Sequence, residues 1–566
     1  MNSLVLALIG IAMMLAGYAL YSKFLAGKIY GLDDSRPTPA HEQEDGVDFV
    51  PTNKYVLWGH HFTSVAGAAP IVGPAIAIIW GWFPAFLWVT IGTIFFAGMH
   101  DFGALWASVR HRGKSMGTLS GDYIGGRGRA LFLVIIFLLL LMVIAVFAVV
   151  IANLLVSTPS AVIPTWGAII VALVIGQAIY RYKLSLPIVS VVGVVALYAL
   201  ILLGDRYPIE LPETVLGLST AAFWIVVLMI YAGIASILPV WVLLQPRDYI
   251  NGLQLFIGLG ILYVAILLSR PEIVAPAMND DVPAGTPGLF PLLFVTIACG
   301  AISGFHGIVS SGTSSKQLDK ESDARFVGYF GAVGEGLLAL GTIIAVSAGF
   351  QTAAQWRELY DAFGKGGVPA FIEGGGNIIE SGVGLPSSLA ATVLATMAVL
   401  FAATTMDTGV RLHRFVTQEI GELAGVRIPK GIATVIVLAL AFGLAFGASS
   451  DGTGGMLIWP LFGTTNQLLA ALTLSVITVI LLRMRRNVLP IVIPLVFVLV
   501  MTVWALAVQL GEFYAARDWL LAILGTIVLV AALWVVVEAG MAMRRTAAHP
   551  EPIDEDEDAP SPSDRV

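Results

Sequence analysis

The sequence predicts an all-α polytopic membrane protein with about fifteen transmembrane helices. Of its 566 residues, 58% are hydrophobic and only 12% are charged, whereas roughly a quarter of the residues in a soluble domain are charged. The mean hydropathy is +0.89. Apolar runs of about 17 to 25 residues recur from Leu4 to Val537, and each can cross ~30 Å of hydrocarbon as a helix. These observations exclude a water-soluble fold.

The apolar runs end at charged residues or at Gly and Pro, and these ends define the predicted spans. They are placed at residues 4–24, 62–79, 84–108, 131–156, 165–180, 185–204, 218–244, 250–269, 289–311, 326–350, 385–409, 431–448, 455–483, 488–510 and 519–541.

The distribution of Lys and Arg predicts the orientation of these spans. With the N-terminus outside, the outer loops hold only five of the 30 basic residues, namely Arg206, Arg270, Arg357, Lys365 and Arg517. Positive charge is retained on the cytoplasmic side of a membrane. We therefore expect an inner-membrane protein whose C-terminus is cytoplasmic and whose segment 351–384 is external, as a lid or cap.

Two predicted spans carry Gly and Pro in their middle. Residues 60–82 carry Pro70, Gly73 and Pro74 in their middle, and residues 223–247 are interrupted between Gly233 and Pro239. Five helices begin with each segment, and the two sets run in opposite directions. Paired interruptions of this kind predict a five-plus-five inverted repeat with a substrate site near the membrane midplane. In the alternative interpretation, each Pro only kinks a structural helix.

A third interrupted stretch, residues 297–315, places many Ser, Thr, Gly and His residues at one helix end. Oxygen ligands suit a cation, whereas hydroxyls and helix amides suit a carboxylate. In the alternative interpretation, the hydroxyls only pack helices together. Taking the three segments together, we predict that the substrate contacts Gly73, Ala75, Gly233, Ser236, Ser303, His306 and Ser310.

Ionisable residues within predicted spans are costly in lipid and are candidates for ion coupling. Glu335 has no basic residue within one helical turn, so its carboxylate is predicted to carry the coupling proton. Asp407 lies four residues before Arg411, and a helix-end ion pair between them is the simpler interpretation.

Two further groups remain open as coupling residues. His100 with Asp101 either relays a proton or orients the basic loop that follows. If the coupling ion is Na⁺, the hydroxyls of Ser303, Ser310 and Thr313 are its predicted ligands.

The chain divides into four predicted parts. Residues 1–61 form a first helix and a loop, 62–411 the repeat core, 412–545 additional helices, and 546–566 a disordered acidic tail. The single cysteine offers no Cys cluster for a metal, and nucleotide-loop and hydrolase motifs are not found. We predict neither cofactor, metal nor nucleic-acid partner. The partners are the lipid bilayer, a small solute and a coupling ion.

Several blocks of the sequence resemble the carbon starvation protein A family of bacterial transporters. They are SVAGAAPIVGPAIAIIWGWFPAFLW (64–88), AGMHDFGALWASVRHRGKS (97–115), WVLLQPRDYING (241–252), CGAISGFHGIVSSGTSSKQL (299–318), MDTGVRLHRFVTQE (406–419) and WPLFGTTNQLLAAL (459–472).

This resemblance implies uptake of pyruvate coupled to protons during carbon starvation. It also implies kinship to the amino acid-polyamine-organocation superfamily, which agrees with the predicted repeat. Peptide uptake is proposed for members of the family and is the alternative function. A membrane nutrient sensor that binds without transport is a third reading, although no signalling domain is recognised in the sequence.

Overall fold

A computed structural model describes residues 2–447, 452 and 454–548 of the chain, and these residues are mostly helical. The helices are α1 (Ser3–Tyr30), α2 (Pro39–Glu42), α3 (Lys54–Ala66), α4 (Ala69–Trp80), α5 (Trp82–Arg110), α6 (Met116–Tyr123), α7 (Gly126–Ser157), α8 (Pro159–Arg181), α9 (Leu186–Arg206), α10 (Thr220–Ile237), α11 (Leu244–Ser269), α12 (Leu289–Thr296), α13 (Gly304–Gly312), α14 (Arg325–Ala348), α15 (Ala353–Leu359), α16 (Gly367–Val383), α17 (Ser387–Leu423), α18 (Lys430–Gly447), α19 (Gly454–Leu457), α20 (Trp459–Arg483), α21 (Leu489–Ala516) and α22 (Trp519–Ala548). A two-stranded antiparallel hairpin, β1 (Thr214–Val215) and β2 (Leu218–Ser219), precedes α10.

The described residues include thirteen helices long and apolar enough to cross a membrane. The pair α3 and α4 passes the same test as one span bent by 43°. The predicted helix 289–311 is instead two short helices, α12 and α13, separated by a non-helical segment. Every predicted span thus corresponds to a long helix or to a broken pair, and the helical membrane fold is confirmed.

Several boundaries differ from the prediction. Helix α3 begins at Lys54 rather than at residue 62, α11 begins at Leu244 rather than at residue 250, and α17 ends at Leu423 rather than at residue 409. Helix α10 ends at Ile237, between Gly233 and Pro239, so the chain is interrupted where predicted, but the interruption is the connection between two helices rather than a break within one span. Pro239 explains the end, because it lacks the backbone N–H that a continuing helix needs. The inverted repeat stays a prediction.

Contacts between connecting segments define one end of the bundle, here called the basic end. Arg110 of α5 forms an ion pair with Glu321 at 2.5 Å, and Lys54 of α3 lies 3.8 Å from Asp323. The guanidinium of Arg483 lies over the Tyr123 ring at 4.6 Å. The opposite end, here called the far end, joins other connections, where Ser3 Oγ donates to Pro271 O at 2.7 Å and Val274 N to Ser347 O at 2.9 Å.

The helices differ strongly in burial. In the most apolar windows of α17 and α20, 89% and 94% of the residues are buried, whereas the value for α9 is 22%. Exposed Leu, Ile and Val residues cover α9, α21 and α22. Since lipid tails are as apolar as these side chains, α9, α21 and α22 form the lipid-facing periphery, and α17 and α20 form the centre.

The segment 351–384, predicted as a lid or cap, contains α15 and α16 at the far end. Tyr360 is buried there, and its hydroxyl donates to Ala75 O of α4 at 2.7 Å. A cavity of about 630 Å³ opens beside these helices and is lined in part by Glu358, Glu373 and Glu380. The predicted acidic tail lies outside the described residues, apart from its first three.

Tags inserted at exposed turns test the predicted orientation. A tag after Gly125 or after Asn487, both at the basic end, is expected to be cytoplasmic, and one after Gly364 external, because the basic residues divide that way. The measurement is labelling of each tag in intact and permeabilised cells. An externally reactive tag after Gly125 would contradict the orientation.

Candidate functional site

The two broken helix pairs pack against each other in the interior. The chain breaks between α3 and α4 at Gly67, whose φ of +53° favours glycine. On α4, Gly73 approaches the end of α12 so closely that an added Cβ would lie 2.4 Å from Thr296 O. On α5, Thr93 Oγ1 donates to Gly300 O, in the break between α12 and α13, at 3.0 Å. The breaks are therefore in contact with each other and with α5.

Beside this junction lies a fully buried group of ionisable side chains, here called the central cluster: His100, Asp101, His306 and Glu335. Asp101 accepts hydrogen bonds from His100 Nδ1 and from His306 Nδ1, both at 2.8 Å. On its other side, His306 Nε2 lies 3.4 Å from Glu335 Oε2, an ion-pair distance. One imidazole therefore stands between two carboxylates supplied by α5 and α14.

The positions of these residues along their helices place the central cluster near the membrane midplane. Asp101 precedes Arg110, at the basic end of α5, by nine residues, which is about 14 Å at the helical rise. Glu335 follows Arg325, at the basic end of α14, by ten residues. Since the hydrocarbon core is ~30 Å thick, both carboxylates lie about halfway through it.

Along α14, Glu335 has no basic residue within one helical turn, as the sequence indicates. In the folded protein, however, α13 brings His306 next to it from another part of the chain. Neither Glu335 oxygen accepts a hydrogen bond from a described residue. With His306 Nδ1–H directed at Asp101, a single proton can reside on His306 Nε2 or on Glu335. The arrangement suits a site that binds and releases one proton.

Asn466 of α20 fixes the start of α13. Its Oδ1 accepts hydrogen bonds from Phe305 N at 2.8 Å and from Ser303 Oγ at 3.1 Å. Its Nδ2 lies 3.3 Å from Cys299 Sγ. One turn beyond His306, the buried hydroxyl of Ser310 has no hydrogen-bond partner among the described residues. Ser303, His306 and Ser310 thus share one short helix next to the central cluster.

A second buried group, here called the arginine cluster, lies between α3, α10, α11 and α17. Arg247 forms ion pairs with Asp248, at 2.7 Å, and with Asp407, and its Nη1 donates to Tyr231 Oη at 2.6 Å. His60 Nδ1 bonds to Asp248 Oδ2 at 2.7 Å. All five side chains belong to helices that converge here, and Arg247 is only 2% exposed.

The predicted ion pair between Asp407 and Arg411 was wrong. Asp407 pairs with Arg247, while Arg411 Nη1 binds Asp48 Oδ1 at 2.7 Å and another of its nitrogens donates to Leu238 O. Tertiary contacts override the one-turn spacing, because α10, α11 and the loop before α3 all pack against α17.

Other predicted site residues lie elsewhere. An added Cβ at Gly233 would meet Leu438 of α18, and Ser236 O accepts from Arg414 Nη1 at 2.9 Å. Both contacts are with α17 or α18, whereas the central cluster is built from α5, α13 and α14. Ala75 contributes its carbonyl to Tyr360, as described above.

The three proposed sodium ligands cannot share one ion. Ser303 and Thr313 flank α13 at opposite ends, about 15 Å apart along the helix axis. This combination of ligands was therefore wrong.

Cys299, His306 and Glu335 are the one described trio in which ligand atoms converge as a metal site requires, with all three atoms within 4.8 Å. Cys299 Sγ already accepts a hydrogen bond from Asn466, and His306 Nδ1 already donates one to Asp101. We assign no metal here, and the predicted absence of one stays a prediction.

Sequence reasoning missed six residues of these two clusters and their surroundings: His60, His61, Arg247, Asp248, Tyr231 and Asn466. The first four fell in predicted loops, because α3 and α11 begin earlier than predicted. His61 Nδ1 contacts Ser314 Oγ at 2.8 Å, and its ring packs on Gly331, one turn from Glu335. The adjacent His60 and His61 were the available signal.

Ser310→Ala is expected to reduce solute uptake without reducing the amount of folded protein. The hydroxyl has no partner among the described residues, so its removal leaves no protein group unpaired. If it contacts the solute, the loss should be on the order of 1 kcal/mol, about a fivefold fall in affinity. Uptake and membrane abundance are measured together, with Ser475→Ala, which removes a hydroxyl bonded to its own helix, as control. Equal uptake in both variants would contradict a contact with the solute.

The chain matches known proteins over most of its length. Residues 2–352 and 348–505 match the family model described as carbon starvation protein CstA. It is 34% identical to the peptide transporter CstA of Campylobacter jejuni, over 89% of this chain and 80% of the relative. It is 31% identical to the pyruvate/proton symporter BtsT of Escherichia coli, over 92% of this chain and 84% of the relative. Among solved structures, a mutant of the Eremococcus coleocola manganese transporter aligns with a TM-score of 0.47 and 12% identity, over 88% of this chain and 99% of that chain.

Proposed function

Because the chain belongs to the carbon starvation protein CstA family, we propose that it imports a small carboxylate, pyruvate, together with protons during carbon starvation. The family and the relatives are transporters, and this chain is accordingly a multi-pass membrane transporter and not an enzyme.

The observation that carries the proposal is the imidazole of His306 between the carboxylates of Asp101 and Glu335 at mid-membrane depth. Buried ionisable groups in membranes mark proton and ion pathways, because their cost is otherwise hard to offset. Asp101 has two hydrogen-bond donors, whereas Glu335 has none among the described residues. We therefore assign the coupling proton to Glu335 and a supporting role to Asp101 and His100.

The broken helices supply what a carboxylate needs without a dedicated cation. The buried hydroxyl of Ser310, which has no partner among the described residues, is a donor for an anion, whereas Phe305 N at the start of α13 is already bonded to Asn466. His306 and Ser310 lie on α13, Ser303 directly precedes it, and Gly73 lies where α4 meets α12. We propose these residues as the contact surface for the solute. Ala75 is retained as a neighbour on α4, whereas Gly233 and Ser236 contribute through α10 at most indirectly.

Entry of the solute is coupled to entry of a proton if the site accepts the solute only when Glu335 is protonated. A proton on Glu335 removes one negative charge from the central cluster, which lowers the electrostatic cost of bringing a carboxylate beside it. Release of both at the other membrane face restores the charged state. Import in this sense requires the basic end to be cytoplasmic and the far end external, in the inner membrane of a bacterium.

Peptide uptake is the second candidate. The far-end cavity of about 630 Å³ is lined in part by Glu358, Glu373 and Glu380, and none of the described residues that line it is basic. Such a lining suits the amino group of a peptide better than a free monocarboxylate. The relative from Campylobacter jejuni carries the name of a peptide transporter.

Competition for uptake separates the two candidates. Purified protein in proteoliposomes is given labelled pyruvate with an inward proton gradient, in competition with unlabelled lactate, acetate or dialanine. Uptake that lactate inhibits and dialanine does not supports the carboxylate proposal. Absence of pyruvate uptake, together with uptake of labelled dialanine, would contradict it and favour the peptide transporter.

A further inference from the structure

Arg247 is a buried arginine whose partners are two carboxylates on different helices. It bonds Asp248 on its own helix α11 and Asp407 on α17. Removing an arginine from water is costly, and the pairing offsets that cost only while both carboxylates stay in place. Asp407 Oδ1 has no hydrogen-bond partner among the described residues. Asp407 is thus held by fewer contacts than Asp248, which His60 also binds.

Unused hydrogen-bond donors surround the guanidinium of Arg247. A cavity of about 10 Å³ beside it, room for one water, is lined by Thr165, Trp166 and Tyr231. Thr165 Oγ1 and Trp166 Nε1 are buried and have no hydrogen-bond partner among the described residues. The hydroxyl and indole donors lie beside the guanidinium in a cavity otherwise lined mainly by apolar side chains, and a carboxylate matches the planar guanidinium best. Because the donors of Arg247 are bonded to Asp248, Tyr231 and Asp407, a ligand can bind the guanidinium only by displacing one of these partners.

An alternative partner for Asp407 lies one turn along α17. Arg411 follows it by four residues, and Arg411 Nε has no hydrogen-bond partner among the described residues. The unpaired Asp407 Oδ1 and this unpaired donor belong to neighbouring positions on one helix. In the observed arrangement Arg411 instead binds Asp48. If Asp407 moved to Arg411, it would therefore compete with Asp48 for the Arg411 guanidinium.

Asp48 belongs to a loop, residues 44–53, that covers the basic end. Val50 N and Thr52 N donate to Lys316 O and Gln317 O at 3.2 and 3.0 Å, just after α13. Val47 O accepts from Val240 N at 3.3 Å, in the connection that precedes α11. The Asp48 side chain is 23% exposed, so water can solvate it once it is released.

We propose that Arg247 is a second position on the path of the solute, apart from the contacts near α13, where the carboxylate of the transported solute binds in exchange for Asp407, which then pairs with Arg411 and frees the loop 44–53 at Asp48. Each positive charge keeps a carboxylate partner throughout, and the carboxylate left over is the one nearest to water. No proton transfer is required, so this step is separate from the proton on Glu335. The inference rests on the proposed function, because it assumes that the solute carries a carboxylate.

The first test is the affinity for labelled pyruvate in exchange assays with proteoliposomes. Arg247→Gln is expected to raise KM about 10- to 100-fold, the loss of a hydrogen bond to a charged group. Arg247→Lys keeps the positive charge but lacks the planar guanidinium, so its KM should lie between those of Arg247→Gln and the wild type. Arg129→Gln, which removes another arginine paired with a carboxylate on α17, is the matched control and should leave KM unchanged.

The second test uses protein whose Arg247 is intact. Val47→Cys is labelled with a maleimide in detergent micelles, where the native Cys299 is buried. Saturating pyruvate should accelerate labelling severalfold, and Arg411→Gln should make labelling fast without pyruvate. An unchanged labelling rate in protein that transports pyruvate, or an unchanged KM in folded Arg247→Gln, would overturn the inference and leave the proposed function standing.

The opposite failure is also distinguishable. If wild-type protein takes up dialanine but not pyruvate, the proposed function fails, and both tests are repeated with dialanine and with its amide. Acceleration of labelling by dialanine but not by the amide then supports the role of Arg247 in binding a carboxylate. Equal acceleration by both would overturn it.

Discussion

Glu335→Gln is expected to abolish proton-driven accumulation of labelled pyruvate while exchange of labelled for unlabelled pyruvate continues. The glutamine amide keeps the size of the glutamate side chain but cannot take up or release a proton at physiological pH. Exchange needs no net proton movement, so it should survive. Both activities are measured in the same proteoliposomes, with and without an inward proton gradient.

Glu538→Gln is the matched control for this variant. Glu538 lies in α22 at the periphery, where its Oε1 accepts from Trp534 Nε1 at 3.2 Å, far from α13 and α14 in the chain. Accumulation should therefore persist in the control. If it also persists in Glu335→Gln, Glu335 is structural, and His100 with Asp101 becomes the next pair to replace. Accumulation driven by a sodium gradient in the wild type would reject proton coupling itself.

Gly73→Ala is expected to destabilise the folded protein by about 1 to 3 kcal/mol, the usual cost of overpacking. The added Cβ would lie 2.4 Å from Thr296 O, a backbone atom that no side-chain rotation can move away. The two broken helix pairs would have to separate, which disturbs α13 as well. The measurements are thermal unfolding in detergent and uptake of pyruvate.

The matched control is Gly260→Ala in α11, where an added Cβ meets nothing within 4 Å. In a helix this change should stabilise slightly, because alanine has less conformational freedom to lose than glycine. Equal thermal stability of Gly73→Ala and the wild type would show that the junction of α4 and α12 is looser than described here.

The spans were predictable because membrane thickness fixes the length of an apolar helix, and that constraint is local in sequence. The breaks were only partly predictable. Pro74 lies within α4, but the chain breaks at Gly67. The break between α12 and α13 falls in the stretch 297–315 that was predicted to be interrupted, although its two helices were predicted as one span. Broken helices expose backbone groups that other helices satisfy, and those partners, such as Asn466, are distant in sequence.

The candidate site was even less predictable, because its residues come from distant parts of the sequence. Asp101, His306 and Glu335 were each recognisable as costly residues in an apolar run, but their convergence depends on how α5, α13 and α14 pack. His60 and Arg247 were missed because polar residues at the start of a helix are indistinguishable from loop residues by hydropathy alone.

Asp407 shows that local spacing can also predict the wrong partner. Its spacing to Arg411 predicts a pair within one helix, yet Arg247 from α11 takes its place. Local spacing offers a partner worth only a few tenths of a kcal/mol, which tertiary packing easily overrides.

The central claim is that this transporter moves a carboxylate and a proton together, and simultaneous measurement of both tests it most directly. Proteoliposomes loaded with a pH-sensitive dye receive labelled pyruvate outside, without an imposed gradient and at equal pH on both sides. The account predicts that the lumen acidifies as pyruvate enters, and that both signals are lost together when Glu335→Gln replaces the wild type. Entry of pyruvate through the wild-type protein without acidification of the lumen would contradict it.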